Sequence, residues 1–281
     1  MSKRPPSILL APQPIEDESP ASWILRTCQT HSVTYQELAG CLGIPRCRDP
    51  DVYAPIDHLC HIGNGTRVTE KRLRSLGSAF QAVRERPQLK ALLDFGARGE
   101  PSYRVCALCL AHDATPYLRI QWRFKDWIYC PVHHAALIRC CPGCGASIIG
   151  TKVSLSHSPN GDPLDISHCY HCGESRVGTG LAGFSAICGD QRLAAQKFLV
   201  SAVLQGYFLI EGFDRRVGLD FLLWLRENYP WDNPRVAPTS CVAADTWATR
   251  LIVSEILRDE QRASRRGDFR PSKVCPTRGR V

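Results

Sequence analysis

Apolar residues recur at three- and four-residue steps through much of this chain, and the residues that flank those runs mark where helices begin and end. Ser19 stands as an N-cap before Pro20 at the first helical position. After it, Trp23, Ile24, Thr27 and Cys28 supply an apolar stripe with Arg26 outside it. A second helix begins at Thr34, which forms a capping box with Glu37, while Val33 and Leu38 stand at the positions of a hydrophobic staple. Leu38, Cys41 and Leu42 are expected to face one way, Gly43 to supply a left-handed C-terminal cap, and Pro45 to prevent continuation.

A loop from Pro50 to Pro55 leads to a short helix through His58, Leu59 and Ile62. A Gly63-Asn-Gly65 turn then precedes a helix carrying Leu73, Leu76, Phe80 and Val83. Helix, glycine turn and helix is the arrangement a DNA-reading helix-turn-helix needs, and Arg67, Lys71, Arg72 and Arg74 lie on or near the second helix, where phosphates would be reached. Plain packing within a helical bundle explains the same pattern. Toward the carboxy terminus, helical periodicity returns over 191–208, 215–228 and 246–262, with Pro230, Pro234 and Pro238 in the connection between the last two.

Between Val105 and Gly173 the pattern changes from periodic apolar residues to paired metal-binding types. Cys106-Ala-Leu-Cys109, Cys130-Pro-Val-His133, Cys141-Pro-Gly-Cys144 and Cys169-Tyr-His-Cys172 each place two ligands three positions apart. One tight turn at that spacing aims both side chains at a single tetrahedral ion, so the knuckles taken consecutively fill two structural zinc sites. Site one takes Cys106, Cys109, Cys130 and His133; site two takes Cys141, Cys144, Cys169 and Cys172. Gly145 and Gly173 support this, because a positive φ after the second ligand turns backbone amides toward sulfur. Cys140, His134, His168 and His171 stand beside the chosen groups as alternatives, whereas His112 and His157 read as loop histidines.

Closed coordination by four protein ligands leaves no position for an activated water, which makes these sites scaffolds rather than catalysts. The histidines lack the following glutamate of a zinc deaminase, and no phosphate loop, serine-nucleophile elbow or zinc-protease helix occurs. A Cys-His nucleophile pair is not removed by composition, but knuckle cysteines suit it poorly. Tyr117, Trp122, Phe124, Trp127 and Tyr129 interleave with Arg119, Arg123 and Lys125 between the first two knuckles. They allow two readings: stacking on a single strand, or the core of a small metal-bound module.

Composition adjusts this picture in three places. At 281 residues and 44% hydrophobic, the chain is long enough for two or three small domains. Fifteen cysteines could signal a secreted disulfide scaffold, yet their metal spacing favours reduced thiolates and a cytoplasmic protein, as does the lack of a signal-like or membrane-spanning apolar run. The net charge of +8 is concentrated around residues 67–98 and 258–280, which favours a polyanionic partner or a solvated face.

Taken together, Glu18-Ser-Pro-Ala-Ser-Trp23, Cys106-x-x-Cys109, Tyr117-Leu-Arg-Ile-Gln-Trp122, Tyr129-Cys-Pro-Val-His-His134 and Leu137 leading to Cys141-Pro-Gly-Cys144-Gly resemble the TniQ family, which includes TnsD-like target selectors of transposons. The resemblance covers roughly residues 15–175. It implies a helix-turn-helix domain followed by a double zinc-binding domain. The implied role is that of a non-catalytic adaptor linking attachment-site DNA, or a CRISPR effector with its guide RNA, to an AAA+ ATPase regulator and its transposase. Self-association occurs in some members.

The expected protein is therefore mostly α, with small zinc-bound β or knuckle modules. It comprises an extended arm (1–17), a helix-turn-helix-containing domain (18–98), a double zinc-finger domain (99–180), a C-terminal helical bundle (181–263) and a basic tail (264–281). It would act as a DNA-targeting adaptor in transposition with two Zn2+ ions and no membrane partner. A stand-alone helix-turn-helix and zinc-finger transcriptional regulator is the main alternative, and a zinc hydrolase or nuclease is the other.

Overall fold

The computed structural model of the protein describes residues 10–152, 165–177, 186–210, 213–220 and 223. By compactness the chain forms two units, Met1–Ala186 and Ile187–Val281. The first holds both the helices of the amino-terminal half and the cysteine-rich segment.

Helix α1, Pro20–Thr30, starts as its sequence predicts, with the Ser19 side chain accepting from the Ser22 amide. Helix α2, Tyr35–Leu42, has the complete capping box of Thr34 and Glu37, and Gly43 closes it at φ 66° with its N–H on the carbonyls of Ala39 and Gly40. Its buried face is Leu38, Ala39 and Leu42 together with Tyr35; Cys41 is exposed, one position away from where the periodicity put it. The Pro50–Pro55 loop contains a short helix, α3 (Pro50–Tyr53), capped by Asp49. Helices α4, Ile56–Gly63, and α5, Glu70–Ser78, follow. The predicted single helix through Phe80 and Val83 breaks after α5, and α6 restarts at Gln81–Glu85.

Helices α4 and α5 pack closely because glycine stands at both places where they meet. A Cβ on Gly63 would come within 2.4 Å of Leu73 Cδ1, and one on Gly77 within 2.8 Å of Ile56 Cγ1. The apolar faces of α1, α2, α4 and α5 close on a core of Trp23, Ile24, Leu38, Leu59, Ile62 and Leu73. Each fully buried aliphatic or aromatic side chain there contributes on the order of 1.5–3 kcal/mol. Described residues of the arm dock on this core: the Trp23 indole donates to the Pro12 carbonyl at 2.8 Å, and Gln13 Nε2 donates to the Arg67 carbonyl at 3.2 Å.

The cysteine-rich segment is not packed separately from these helices. Phe80 stacks on Phe124 with ring centroids 6.2 Å apart, and Leu93 and Glu18 form isolated bridges with Phe124 and Arg119. A two-stranded antiparallel ladder, β1 (Ser102–Tyr103) with β2 (Ile148–Ile149), joins the chain just before Cys106 to the chain just after Cys144. Helix α7, Ala107–His112, follows Cys106, and a 3-10 turn spans Ile120–Arg123.

In the second unit, α8 runs Ala186–Gln205, overlapping the stretch where helical periodicity is expected from residue 191, and buries Ala195, Leu199, Ala202 and Val203. Gly206, at φ 82°, ends it with its N–H on the Ala202 carbonyl. An antiparallel hairpin then pairs β3, Tyr207–Ile210, with β4, Phe213–Gly218. This corrects the helical bundle expected here, because the start of the predicted 215–228 helix is strand. The aromatic and β-branched residues of Tyr207-Phe-Leu-Ile after the cap at Gly206 are the sequence signals for this strand. The 246–262 helix, the prolines at 230, 234 and 238, the basic tail and residues 1–9 of the arm lie outside the described residues.

Candidate metal centres

Three of the four knuckles share one backbone design. The amide of Cys130 donates to the Ala135 carbonyl, that of Cys141 to Ala146 and that of Cys169 to Glu174, each at 2.8 Å. In return His134, Gly145 and Gly173 donate to the carbonyls of those same cysteines. These three residues have φ 51°, 70° and 74°, so each knuckle turns through a left-handed residue just after its second ligand. Glycine supplies that conformation freely in two of them. His134 adopts it without glycine's freedom, and sequence reading placed it among the alternative ligands, whereas here it builds the turn. The remaining knuckle is different: Cys106 is the N-cap residue of α7 and Cys109 lies in the helix.

These turns bring the side chains into two clusters, one of Cys106, Cys109, Cys130 and His133 and one of Cys141, Cys144, Cys169 and Cys172. Within each, the ligand atoms all lie within 4.8 Å of one another. In the first, His133 Nδ1 is 3.5, 3.3 and 3.6 Å from the sulfurs of Cys106, Cys109 and Cys130. In the second, Cys141 and Cys172 are 3.7 Å apart, as are Cys144 and Cys169. A tetrahedral ion with metal–sulfur bonds of about 2.3 Å separates its sulfurs by roughly 3.8 Å and puts a nitrogen ligand roughly 3.5 Å from each. Disulfide sulfurs would be about 2 Å apart. The spacing is that of a shared ion. Two metal ions are thus compatible with eight ligands.

Proton affinities follow from this crowding. Hydrogen bonds from Cys106 and Cys109 hold Cys130 far below the usual thiol range, and contacts with Cys106 and Cys130 push Cys109 far above it. Burial opposes the Cys169 thiolate, yet the amides of Cys172 and His171 and the thiols of Cys141 and Cys144 outweigh it and lower this group to about 7. Cys144 rises to about 12: a backbone hydrogen bond at Ala146 works against the rise, and desolvation with the three neighbouring thiols prevails. Converged thiols without a cation disfavour ionising together, so each cluster lowers one cysteine while raising others. A divalent ion takes the place of the remaining protons, so its binding releases them.

Among the other candidates, Cys140 is exposed and bridges Ser147, and His168 Nδ1 lies 3.0 Å from Asp165 Oδ1. His171 contributes its amide to Cys169 Sγ at 3.4 Å. His112, read from sequence as a loop histidine, sits at the end of α7 with Nδ1 3.4 Å from His133 Nε2. It therefore occupies the outer position that orients a metal-binding imidazole.

The aromatic and basic loop between the first two knuckles is interior. Trp122, Phe124 and Trp127 are buried, as is Tyr117, which removes the single-strand stacking reading. Its basic residues are committed as well. Arg119 makes a two-pronged pair with Asp113 at 2.9 and 2.8 Å and lies over the rings of Tyr117 and Trp122. Arg123 is fully buried, donating to Asp51 at 2.8 Å, to Asp49 at 2.7 Å and to the carbonyls of Asp94 and Ser102. Burial works against that charge, but the two carboxylates outweigh it and keep the guanidinium protonated.

A second clasp lies at Glu18-Ser-Pro-Ala-Ser-Trp23. Glu18 accepts from Ser22 and Arg26, so Arg26 of α1 is buried by this pairing although it lies outside the apolar stripe. Ser22 Oγ accepts from the Leu118 amide at 2.8 Å, and the Ser19 amide donates to the Leu118 carbonyl. Asp17 receives the Tyr117 hydroxyl and Gln121 Nε2. The two sequence motifs around Glu18 and Trp122 are spatial partners.

Arg67, Lys71, Arg72 and Arg74 are exposed. The last three share α5, where Arg74 pairs with Glu70, and Arg72 Nη1 reaches Gln13 Oε1 at 3.1 Å. Among the described residues no helix is long and apolar enough to cross a membrane.

Compared with known proteins, residues 9–137 match the family model of TniQ. No curated protein matches the chain.

Proposed function

From a chain that carries a TniQ-family domain over residues 9–137, we propose a non-catalytic, zinc-binding adaptor that directs transposition to DNA. TniQ proteins belong to the target-selection side of transposition, and the matched span reaches from the docked arm through the first metal cluster. That span is the observation carrying the proposal. In it, Cys106, Cys109, Cys130 and His133 hold one Zn2+, and Cys141, Cys144, Cys169 and Cys172 hold a second just beyond it. Thiolate and imidazole suit this borderline-soft ion, and four protein ligands at each centre favour structure over hydrolysis.

The exposed basic face of α5 and the residues just before it are the DNA contact in this reading, with Arg67, Lys71, Arg72 and Arg74 on phosphates. The other surfaces receive an AAA+ ATPase regulator and, through it, the transposase. In this reading the target is attachment-site DNA or a CRISPR effector with its guide RNA, and self-association of the chain is a separate contact. The decisive experiment immobilises target DNA and asks whether the host's AAA+ ATPase is retained only when this chain is present. Retention supports the adaptor. A specific duplex footprint by the chain alone, with no ATPase bound, would identify a stand-alone regulator instead. X-ray absorption at the metal edge checks the centres, with mixed sulfur and nitrogen coordination expected at one and four sulfurs at the other; an oxygen ligand would reopen the hydrolase reading.

A further inference from the structure

We propose that Arg46, Arg48 and Arg98 form a second phosphate-binding site, distinct from α5, that grips the backbone of duplex DNA. The three guanidinium-bearing residues line a single open cleft of about 360 Å3, together with Glu100 and Thr151. They come from two segments that are distant in sequence. Arg46 and Arg48 lie in the loop after α2, while Arg98 is in the turn that Gly96 and Glu100 close by a 2.9 Å amide-to-carbonyl bond. Gly99 supplies the left-handed φ of 74° that this turn takes, and the turn lies beside Arg48, whose Nη1 would be in ordinary contact, at 3.8 Å, with a Cβ at position 99.

The charges in this cleft have no carboxylate partner among the described residues, unlike six other arginines of the fold. Arg26, Arg74, Arg104, Arg119, Arg123 and Arg139 all pair with carboxylates. Among the described residues, neither Arg46 nor Arg48 nor Arg98 does. Arg46 reaches only the neutral Gln36 Oε1, at 3.3 Å. The one carboxylate of the cleft, Glu100, accepts the backbone amide of Arg98 at 3.0 Å, so it shapes the turn. Three positive groups against one negative leave a surplus of two, and the Thr151 side chain adds a hydroxyl.

The support beneath is rigid. Asp49, next to Arg48, is held by buried Arg123, and the Gly150 amide next to Thr151 donates to the Pro101 carbonyl at 2.9 Å. Arginines on a fixed backbone, facing solvent without carboxylate partners, are suited to phosphate, whose oxygens the guanidinium fork matches. A repeating phosphodiester is favoured over a single small anion because the cleft is open and its charges are spread across two segments. This inference shares with the proposed function only the premise of a DNA partner.

The test uses the full chain and a fluorescent duplex of about thirty base pairs, with binding followed by anisotropy from low to moderate salt. Replacing all three residues (R46Q, R48Q and R98Q together) is expected to weaken binding at least tenfold and to lower the slope of log K against log salt by about 2 to 3, at about 0.9 per phosphate contact. The melting temperature should stay unchanged, since all three are exposed. E100Q should act in the opposite direction and tighten binding. The α5 variant K71A, R72A, R74A serves as reference. If it loses affinity while the cleft variant binds like wild type with an unchanged slope, the cleft proposal is overturned and the α5 reading survives. If wild type binds no DNA, both fall. Competition by millimolar inorganic phosphate that equals the duplex in affinity per phosphate would assign the cleft to a small anion, and that too overturns it.

Discussion

Two basic stretches of this chain look alike in sequence and have opposite fates. Arg67, Lys71, Arg72 and Arg74 lie on or beside α5 and remain exposed. Arg119, Arg123 and Lys125 lie in the loop between knuckles, where Arg119 and Arg123 are drawn into ion pairs with Asp113, Asp49 and Asp51 and Lys125 caps the Ala91 carbonyl at 2.9 Å. The difference is made by carboxylates. Those that meet Arg123 come from the α3 cap, more than seventy residues earlier, whereas α5 offers its arginines only Glu70 on the same helix. A basic residue is available to a polyanion when the fold has no internal use for it.

The most severe way to break the comparison is to remove the buried charge. Arg123→Met leaves Asp49 and Asp51 facing each other in an apolar setting, and the loss of one partner from a buried pair costs about 3–5 kcal/mol. Denaturant unfolding should register that loss, with metal released in parallel because the same loop carries the first cluster's flank. A loss below about 1 kcal/mol, the range of exposed pairs, would show that Arg123 is not a keystone.

Proton linkage at the same place gives the next effect. Burial pushes Asp49 up from its ordinary 3.8 to about 6, against the Arg123 charge and with help from Asp51. Its folded form holds a proton more tightly than its unfolded form, so its contribution favours folding fully below about 3.8 and is lost as pH rises through about 6. Acid acts in the opposite direction on the metal clusters, whose thiolates it protonates. Subtraction separates the two. Stability of Asp49→Asn minus that of wild type should change between pH 4 and 6 and be flat elsewhere; a difference constant over that interval would refute the assignment.

How far these contacts were legible follows from their range. Ser19, Thr34 with Glu37, and Gly43 are caps made within a few residues, and the structure has each one as the sequence implied. The knuckle pairs are local as well, which is why all eight ligands converge as paired. Arg123 and Arg26 were not legible as interior groups, since an arginine gives no local sign of burial and its partners lie elsewhere along the chain. Cys41 failed for a smaller reason: a short helix allows the apolar face to rotate by one residue, and Ala39 took the inward place. The Tyr207–Gly218 hairpin was hidden by apolar residues that fit a helical period nearly as well as an alternating one.

Arg119 tests the middle of the comparison, since it is basic, half-buried and paired. Arg119→Ala removes a charge-assisted fork to Asp113 and a cation over Tyr117 and Trp122. Thermal unfolding should show a loss of about 1–3 kcal/mol, less than for Arg123 because water reaches the site. DNA affinity should not change. A variant that stays fully stable but binds DNA more weakly would place Arg119 with the α5 residues.

The mildest change in folding should be the clearest in binding. Replacing Lys71, Arg72 and Arg74 together by alanine removes exposed charge from α5 while leaving Leu73 and Leu76 in the core, and alanine is a better helix former than any of the three. Stability should therefore stay within the scatter of surface substitutions. Each lost phosphate contact should weaken duplex binding and reduce its salt slope by about 1, without altering which sequences are preferred, because phosphate contacts carry no base information. A change in sequence preference would instead put a side chain of α5 on base edges. Unchanged affinity and slope would show that exposure alone does not make this face a DNA contact, and the division between the two basic stretches would then reflect internal packing only.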